Sequence, residues 1–428
     1  MKRELLIVPF LALIICLLTV NVLAVDKTVV NWAVGGSIIK MARELAVMYT
    51  EEHPDIEIKI LEVPASSTER LNLYLQFFEA ESDKVDIYTI DLIWPGMLAE
   101  HLVDLNQYGG SQVARAHFPA IVENNTVDGR LLAMPWYTDA GLLYYRTDLL
   151  GKYGYSKPPE NWDQLEEMAS RIQEGERGAG KEDFWGYVWQ GNVYEGLTCN
   201  ALEWIASHGG GTIIEDRKIT VYNPRAIAAI ERAAGWIGKI SPPAVTGFIE
   251  EPSRHLWQSG HAAFMRNWPY CYRLGNAAES VIKGKFDVVP LPAGEGGQRV
   301  AALGGWQLAL SSYSNNIAAA ADVALFMTSE QAQKYNALQA SYNPTIKALY
   351  QDQELISANP FYAKLYDVFI NAVARPSTVT APNYNQVSNL FYHAVHAVLT
   401  GDEESRQALG YLQFDLQQVT GLEIVTEQ

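Results

Sequence analysis

The sequence predicts an α/β protein of more than one lobe, and three observations carry that expectation. Its first ninety or so residues alternate in the order strand, helix, strand, helix, strand, the pattern that builds parallel strands covered by helices. Its 428 residues exceed what a single hydrophobic core usually holds. No Ser/Gly linker, internal repeat or low-complexity tract divides the chain, so the lobes must be joined by strands or short hinge segments that cross more than once.

The elements follow in order. Residues 29–34, VVNWAV, read as a strand, and 38–51 place Ile38, Ala42, Leu45, Ala46 and Tyr49 at helical spacing until His53-Pro54-Asp55 breaks the helix. IEIKILEV alternates Ile56, Ile58 and Ile60 against Glu57, Lys59 and Glu62, a half-buried strand. Residues 68–80 return to helical spacing, and VDIYTID at 85–91 is a third strand. Asp91 therefore falls at a strand end, where parallel sheets gather ligands. PPENWDQLEEMASRIQ is a helix start, with Asn161 as cap, Gln164 as its capping-box partner and Trp162, Leu165, Met168 and Ile172 as the buried stripe. QEGERGAGKED at 173–183 reads as a polar loop, and SHGGGTIIEDRKITVYNP as a loop followed by strand and turn. Helical patterns recur at 224–239, 317–340, 361–374 and 385–399.

The N-terminus has the order of a secretory signal: Met1-Lys2-Arg3, an apolar run from Leu5 to Leu18, then Val22-Leu23-Ala24, with cleavage expected near Ala24. Two alternatives are an uncleaved anchor, opposed by Pro9 and a run short of the ~20 residues a span needs, and a lipid on Cys16, opposed by Ile15 where a small residue is usual. Losing Lys2, Arg3 and Glu4 takes the formal charge from −17 to −18. So acidic a surface repels phosphate backbones and anionic lipid, which argues against nucleic acid as a partner. Cys199 and Cys271 are left, too few for a disulfide framework, and read as buried thiols with their pairing open.

Motifs for catalysis are weak. No phosphate-cradling glycine loop opens a helix after a strand, and no serine sits in a nucleophile elbow. His393 and His396 lie three apart on an apolar helical pattern with no acid motif beside them, so no metal or other cofactor is expected. Aromatic and charged residues instead gather at loop-like positions. MPWYTDAGLLYYR carries Trp136, Tyr137 and Asp139, LGGWQL sets Trp306 after two glycines, and NAVARPS puts Arg375 before Pro376. RNWPYCYRLGN adds Trp268 and Tyr270 around Pro269, and an extended turn there sends both to one side and Cys271 to the core. Each tryptophan alone fits a core role. Together with the carboxylates and the guanidinium they suit a sugar, which offers an apolar face for stacking and a rim of hydroxyls.

These residues stand in longer stretches, YGYSKPPENW, QEGER, FWGYVWQGNVYEGLTC, ISPP, EEPSRHLWQSGHAAFMRNWPY, KGK, PLPA, LGGWQLALSSYS and NAVARP, and across them the chain resembles the sugar-binding proteins of ABC importers (extracellular solute-binding protein family 1), most of all those for trehalose and maltose. The resemblance implies a two-lobed periplasmic-binding-protein fold, with a ligand cleft between lobes joined by a multi-segment hinge. Residues 26–137 and 303–350 would form the N-terminal lobe, and 138–302 and 351–428 the C-terminal one. The sugar contacts it implies are Arg70, Asp91, Tyr137, Asp139, Trp268, Tyr270, Gly304, Trp306 and Arg375, with Tyr137, Trp268 and Trp306 stacking. It also implies a monomer outside the cytoplasm that captures a neutral disaccharide or glycoside and delivers it to the membrane subunits of an ABC importer. One departure leaves the sugar open among trehalose, maltose, sucrose and glucosylglycerol: Gly35-Gly36 runs straight into Ser37-Ile38-Ile39-Lys40, where those relatives have extra residues and a sugar-binding acid. Two rival readings share the same residues, a sensor subunit that presents bound sugar to a receptor and a glycoside hydrolase using Asp91 and Asp139 as acid and base.

Overall fold

The computed structural model describes residues 27–362, 366, 368 and 372–425; the signal pattern, Cys16 and part of the predicted 361–374 helix lie outside the described residues. The strands of the two larger sheets are β1 (Thr28–Gly35), β2 (Ile56–Val63), β3 (Ile87–Asp91), β4 (Ala133–Ala140), β5 (Leu142–Arg146), β6 (Trp185–Val188), β7 (Ala262–Asn267), β8 (Phe286–Pro290) and β9 (Leu303–Leu310). The first sheet runs β2-β1-β3-β9-β4 and the second β8-β5-β7-β6.

The first sheet keeps the parallel pairing its alternating sequence implies, β1 lying between β2 and β3. Both faces of β1 are covered. Val30, Trp32 and Val34 meet Met41, Leu45 and Tyr49 of α1 (Ile39–Glu52), while Ala33, with Tyr88 and Ile90 of β3, meets Leu71, Tyr74 and Phe78 of α2 (Ser67–Glu79). A strand buried on both faces needs an almost unbroken apolar run, which is what VVNWAV supplies. Trp32 is fully buried and its indole N–H donates to Thr89 Oγ1 at 2.9 Å, so its burial, worth about 1.5–3 kcal/mol, leaves no polar atom stranded. The edge strand β2 alternates instead, with Ile56 buried and Glu57, Lys59 and Glu62 exposed, and these charges discourage edge pairing with another chain. The late strand β9 then joins antiparallel to both β3 and β4, closing the sheet.

Among the described residues, three segments connect the sheets. Gly141 alone separates β4 from β5, which lie in different sheets. The chain returns from β8 to β9, and it crosses again after residue 340, where Asn343 pairs with Thr138 and Val373 pairs with Ala302. The second lobe carries α3 (Trp162–Gly178), α4 (Glu195–Ser207), α5 (Pro224–Trp236) and α6 (Glu250–Gln258). Helices α7 (Ile317–Met327) and α8 (Glu330–Ala340) pack on the first lobe, and α9 (Tyr384–Thr400) and α10 (Ser405–Thr420) on the second.

Three expectations are corrected. Residues 173–178 are not loop, because α3 continues to Gly178. Gln173 and Glu176 face inward onto partners outside the helix: Gln173 donates to Lys239 O and accepts from the Gly186 N–H, and Glu176 accepts from Lys152, Lys181 and Tyr153. The pattern at 317–340 is two helices rather than one, since Ser329 caps α8 by accepting from the Ala332 N–H. MPWYTDAGLLYYR and LGGWQL are strands β4, β5 and β9, not loops. The cap of α3 does form, Asn161 Oδ1 accepting from Gln164 N–H at 2.9 Å, but Gln164 reaches back to Glu160 N–H rather than to the cap residue's own.

Glu176, with a side chain 1 % exposed, gives the fold a measurable acid dependence. Burial pushes its carboxyl up, but the bonds from Lys152, Lys181 and Tyr153 outweigh burial and hold it down to about 2. A folded value below the unfolded one means the stabilisation is complete above about pH 5 and is lost as pH falls towards 2. Glu176→Gln should lower unfolding stability by about 1–3 kcal/mol at pH 7, and the gap from wild type should shrink in urea titrations between pH 5 and pH 3.

Candidate functional site

The ends of the first sheet's strands set one wall of a cavity between the lobes. In the pairing register Trp306 of β9 lies opposite Asp91 of β3 on one side and Tyr137 of β4 on the other, and Gly304 lies opposite Asp139. Because side chains repeat every two residues on a strand face, Tyr137 with Asp139 and Gly304 with Trp306 present two rows to the same side. At Gly304 the lobes approach closely: a Cβ there would sit 3.1 Å from the Trp268 ring.

Arg70 enters from the first turn of α2. Its Nε donates to Pro64 O at 3.0 Å, which holds the guanidinium 4.1 Å above the Trp306 ring, while Trp94 meets that ring edge-on at 5.6 Å. The second lobe supplies the facing wall. After β7, Trp268-Pro269-Tyr270 is a tight turn into a short helix at Cys271–Gly275, not the extended turn the sequence suggests. The Tyr144 hydroxyl fixes it by donating to the carbonyls of Trp268 and Pro269 at 2.7 and 3.1 Å, and this tertiary bond has no local sequence signal. Both rings still line the cavity, and Cys271 is fully buried in the core. Trp268 rests on the Arg266 guanidinium, 4.0 Å behind it, and its indole N–H donates to Glu250 at 3.3 Å. Tyr270 donates to Glu251 at 2.6 Å and lies parallel to Tyr342, with centroids 6.2 Å apart.

Arg375 ties the two walls together. It donates to Asp91 Oδ1 at 2.7 Å and to Glu195 Oε1 at 2.9 Å, and Glu195 also accepts from Tyr384 and Ser388, each at 2.6 Å. The cavity thus brings together all nine predicted residues, Arg70, Asp91, Tyr137, Asp139, Trp268, Tyr270, Gly304, Trp306 and Arg375. Tyr137 is the most enclosed of the three rings named for stacking, packed against Trp136 and Tyr342, whereas Trp268 and Trp306 are half-buried. Trp136 is a core residue, fully buried against Trp32.

The sequence reading missed Glu195, Glu250, Glu251, Tyr342 and Ser37, all in the cavity wall. The available signal was position: Glu195 opens α4 and Glu250 opens α6, so both helices start at the cavity with acids in their first turns. Ser37, from the shortened loop, meets the Tyr342 hydroxyl at 3.0 Å. Two acids lack a cation of their own. Burial raises Asp139 well above the ordinary carboxylate range, with Arg266 only partly opposing and Asp91 and Glu250 adding to it, and Asp139 Oδ1 has no protein partner. Burial likewise raises Glu250. The wall therefore offers acceptors that something with O–H or N–H groups must satisfy. Cys199 and Cys271 are both free, and among the described residues no cluster of His, Cys, Asp and Glu is arranged to hold a metal. His393 and His396 lie on α9, with His393 exposed and His396 against Thr246 O. Among the described residues no helix is long and apolar enough to cross a membrane.

Two α/β lobes joined by three crossings around a polar, aromatic-walled cavity define a hinged solute-binding protein. Residues 31–334 match the model of the bacterial extracellular solute-binding proteins, and the chain belongs to that family. Its members are binding proteins, so the chain is not an enzyme, and Asp91 and Asp139 are not a hydrolase pair. A probable ABC transporter-binding protein of Deinococcus radiodurans is 53% identical over 365 residues, 85% of this chain and 87% of that one. Maltose-bound MalE3 of T. maritima superposes with a TM-score of 0.87 at 41% identity, over 91% of this chain and 99% of that one. A solute-binding protein of Thermotoga lettingae bound with α-D-tagatose shares the fold, with a TM-score of 0.82 at 22% identity over 92% of this chain and all (100%) of that one.

Arg375→Ala would leave Asp91 and Glu195 buried without their cation. It should disfavour the closed arrangement by about 3–5 kcal/mol, seen as a larger radius in small-angle scattering without sugar, with a smaller loss in denaturant unfolding because opening returns both acids to water.

Proposed function

We propose that this chain is the extracytoplasmic solute-binding component of an ABC importer, and that it captures a neutral disaccharide or related glycoside by closing its lobes. The observation that carries the reading is the pairing of two half-buried tryptophans, Trp306 from one lobe and Trp268 from the other, around a buried acceptor, Asp139 Oδ1, that no protein donor satisfies. A pyranose ring meets both demands at once, with C–H faces for the indoles and hydroxyl donors for Asp139 and Glu250. In this reading Arg70, Asp91, Tyr137, Asp139, Trp268, Tyr270, Gly304, Trp306 and Arg375 contact the sugar. The lobes are 26–137 with 303–350 and 138–302 with 351–428, and the chain works as a monomer exported by a signal cleaved near Ala24. Maltose in MalE3 and the name of the Deinococcus relative support the substrate class and the transporter partner, with trehalose, sucrose and glucosylglycerol as the other candidates.

A disaccharide has about 23 non-hydrogen atoms, and at roughly 0.3 kcal/mol each the gain is about 7 kcal/mol, a dissociation constant of about 10 µM. Tighter capture requires a site assembled in advance and closed to water. The sugar drives closure only by binding the closed arrangement better than the open one.

Calorimetric titration with maltose, trehalose, sucrose and glucosylglycerol, run beside small-angle scattering, tests the proposal. At least one sugar should bind one to one and compact the protein, and absence of heat and of compaction with all four would overturn it. Trp268→Ala should weaken that binding by about 1–3 kcal/mol and leave the melting temperature nearly unchanged, whereas a core role would instead show as about 3–5 kcal/mol of lost stability.

A further inference from the structure

Two of the crossings between the lobes meet at one buried carboxylate, and the third pairs with the second beside it. Glu203, on α4 and 1 % exposed, accepts from Arg266 Nε at 2.8 Å and Nη2 at 2.5 Å. Its Oε1 also accepts from the Ala302 N–H at 3.0 Å, at the second crossing. Ala302 in turn pairs with Val373 of the third crossing, whose N–H donates to Ala301 O at 2.8 Å and whose carbonyl accepts from Leu303 N–H at 2.9 Å. The first crossing is Gly141, where a Cβ would lie 2.1 Å from Glu203 Oε1 and 2.7 Å from Arg266 Nη2. Only a residue without a side chain lets that strand pass over the pair.

The other end of the pair reaches the cavity. Arg266 is fully buried in β7, its Nη1 donates to Gln190 Oε1 at 3.1 Å, and its guanidinium forms the back support of Trp268. Gly141, Glu203 and Arg266 do not line the cavity themselves. A buried ion pair is weak as a source of stability, since well-packed apolar residues of the same volume often serve as well. What this pair does that apolar packing would not is hold the second crossing by a directional bond at Ala302 while packing a charge behind the Trp268 ring and against Gly141 of the first crossing.

We propose that Glu203 and Arg266 are positioning residues that couple the seating of ligand on Trp268 to the geometry of the lobe crossings. When a ligand presses on the indole, the guanidinium behind it holds its plane only if Glu203 stays in place, and Glu203 stays in place only in one arrangement of Gly141 and Ala302. Ligand seating and lobe angle are then two readings of one set of bonds. The inference rests on the solute-binding reading above and adds to it the residues that transmit closure.

Glu203→Gln keeps the shape and the Ala302 bond but removes the charge, and Gly141→Ala presses on both members of the pair from the hinge side, at a residue outside the cavity wall. Each is compared with wild type and with Glu176→Gln, a buried carboxylate outside the hinge, by maltose, trehalose, sucrose and glucosylglycerol calorimetry and by scattering at saturation. The expected result is that either hinge variant binds about tenfold more weakly and loses at least half of the ligand-induced compaction, in the range usual for coupled sites. Glu176→Gln should lower only the melting temperature. If both hinge variants melt lower yet bind and compact as wild type does, the pair is merely structural and the inference is overturned. If wild type itself neither binds nor compacts with any of the four sugars, the solute-binding reading fails instead, and the two outcomes are told apart by the wild-type arm alone.

Discussion

The guanidinium of Arg375 is the contact on which the closed arrangement depends. Its partners come from opposite sides of the cavity, Asp91 from the end of β3 and Glu195 from the start of α4. The Glu195 N–H also donates to Thr68 Oγ1 at 3.1 Å, so the first turns of α2 and α4 abut and seal that end of the cavity. Three charges kept dry are tolerable only while all are paired, and Tyr384 and Ser388 complete the set. Opening the lobes would return these groups to water, exchanging strong bonds in a dry setting for full hydration. Those two quantities are large and nearly cancel for buried ion pairs. A balance of that kind leaves the lobes free to part and leaves a modest ligand contribution able to decide which arrangement prevails.

The cavity's own electrostatics continue the same logic. Charges that face across the lobes are paired by protein groups, and those in the middle are not. Asp139 and Glu250 sit where burial raises them, with neighbouring Asp91 and Glu250 adding to the rise at Asp139, and Arg266 is turned away to Glu203 behind the Trp268 ring. The ring thus screens the cavity from a cation that would otherwise satisfy its acids. Asp139 Oδ1, kept unsatisfied in this way beside a second buried acid, favours a guest rich in hydroxyl donors over one rich in carboxylates.

Much of the first lobe was legible because its signals are local. The period of VVNWAV, the break at His53-Pro54-Asp55 and the alternation of IEIKILEV each need only neighbouring residues. The site was legible in a different way. Arg375 and Asp91 are 284 residues apart, and no spacing rule joins them; it was likeness to known sugar-binding stretches that placed the nine residues together. Elsewhere polarity misled. Gln173 and Glu176 looked solvated because their partners, Lys239, Gly186 and Lys152, belong to other elements. Glu195 and Glu250 looked like ordinary helix-start acids, which they also are. The turn at Trp268-Pro269-Tyr270 is set by a hydroxyl on β5, and Pro269 alone allowed either shape.

Cys199 offers one more consequence. Its thiol lies in the cavity wall, and burial pushes it up to about 12, so it is almost wholly protonated and inert while the lobes meet. An alkylating reagent can reach it only in molecules whose cavity stands open to solvent. The rate at which the thiol is consumed is then set by the fraction of time the cavity spends open. The protein carries an internal shutter counter, readable by mass without any label having been added.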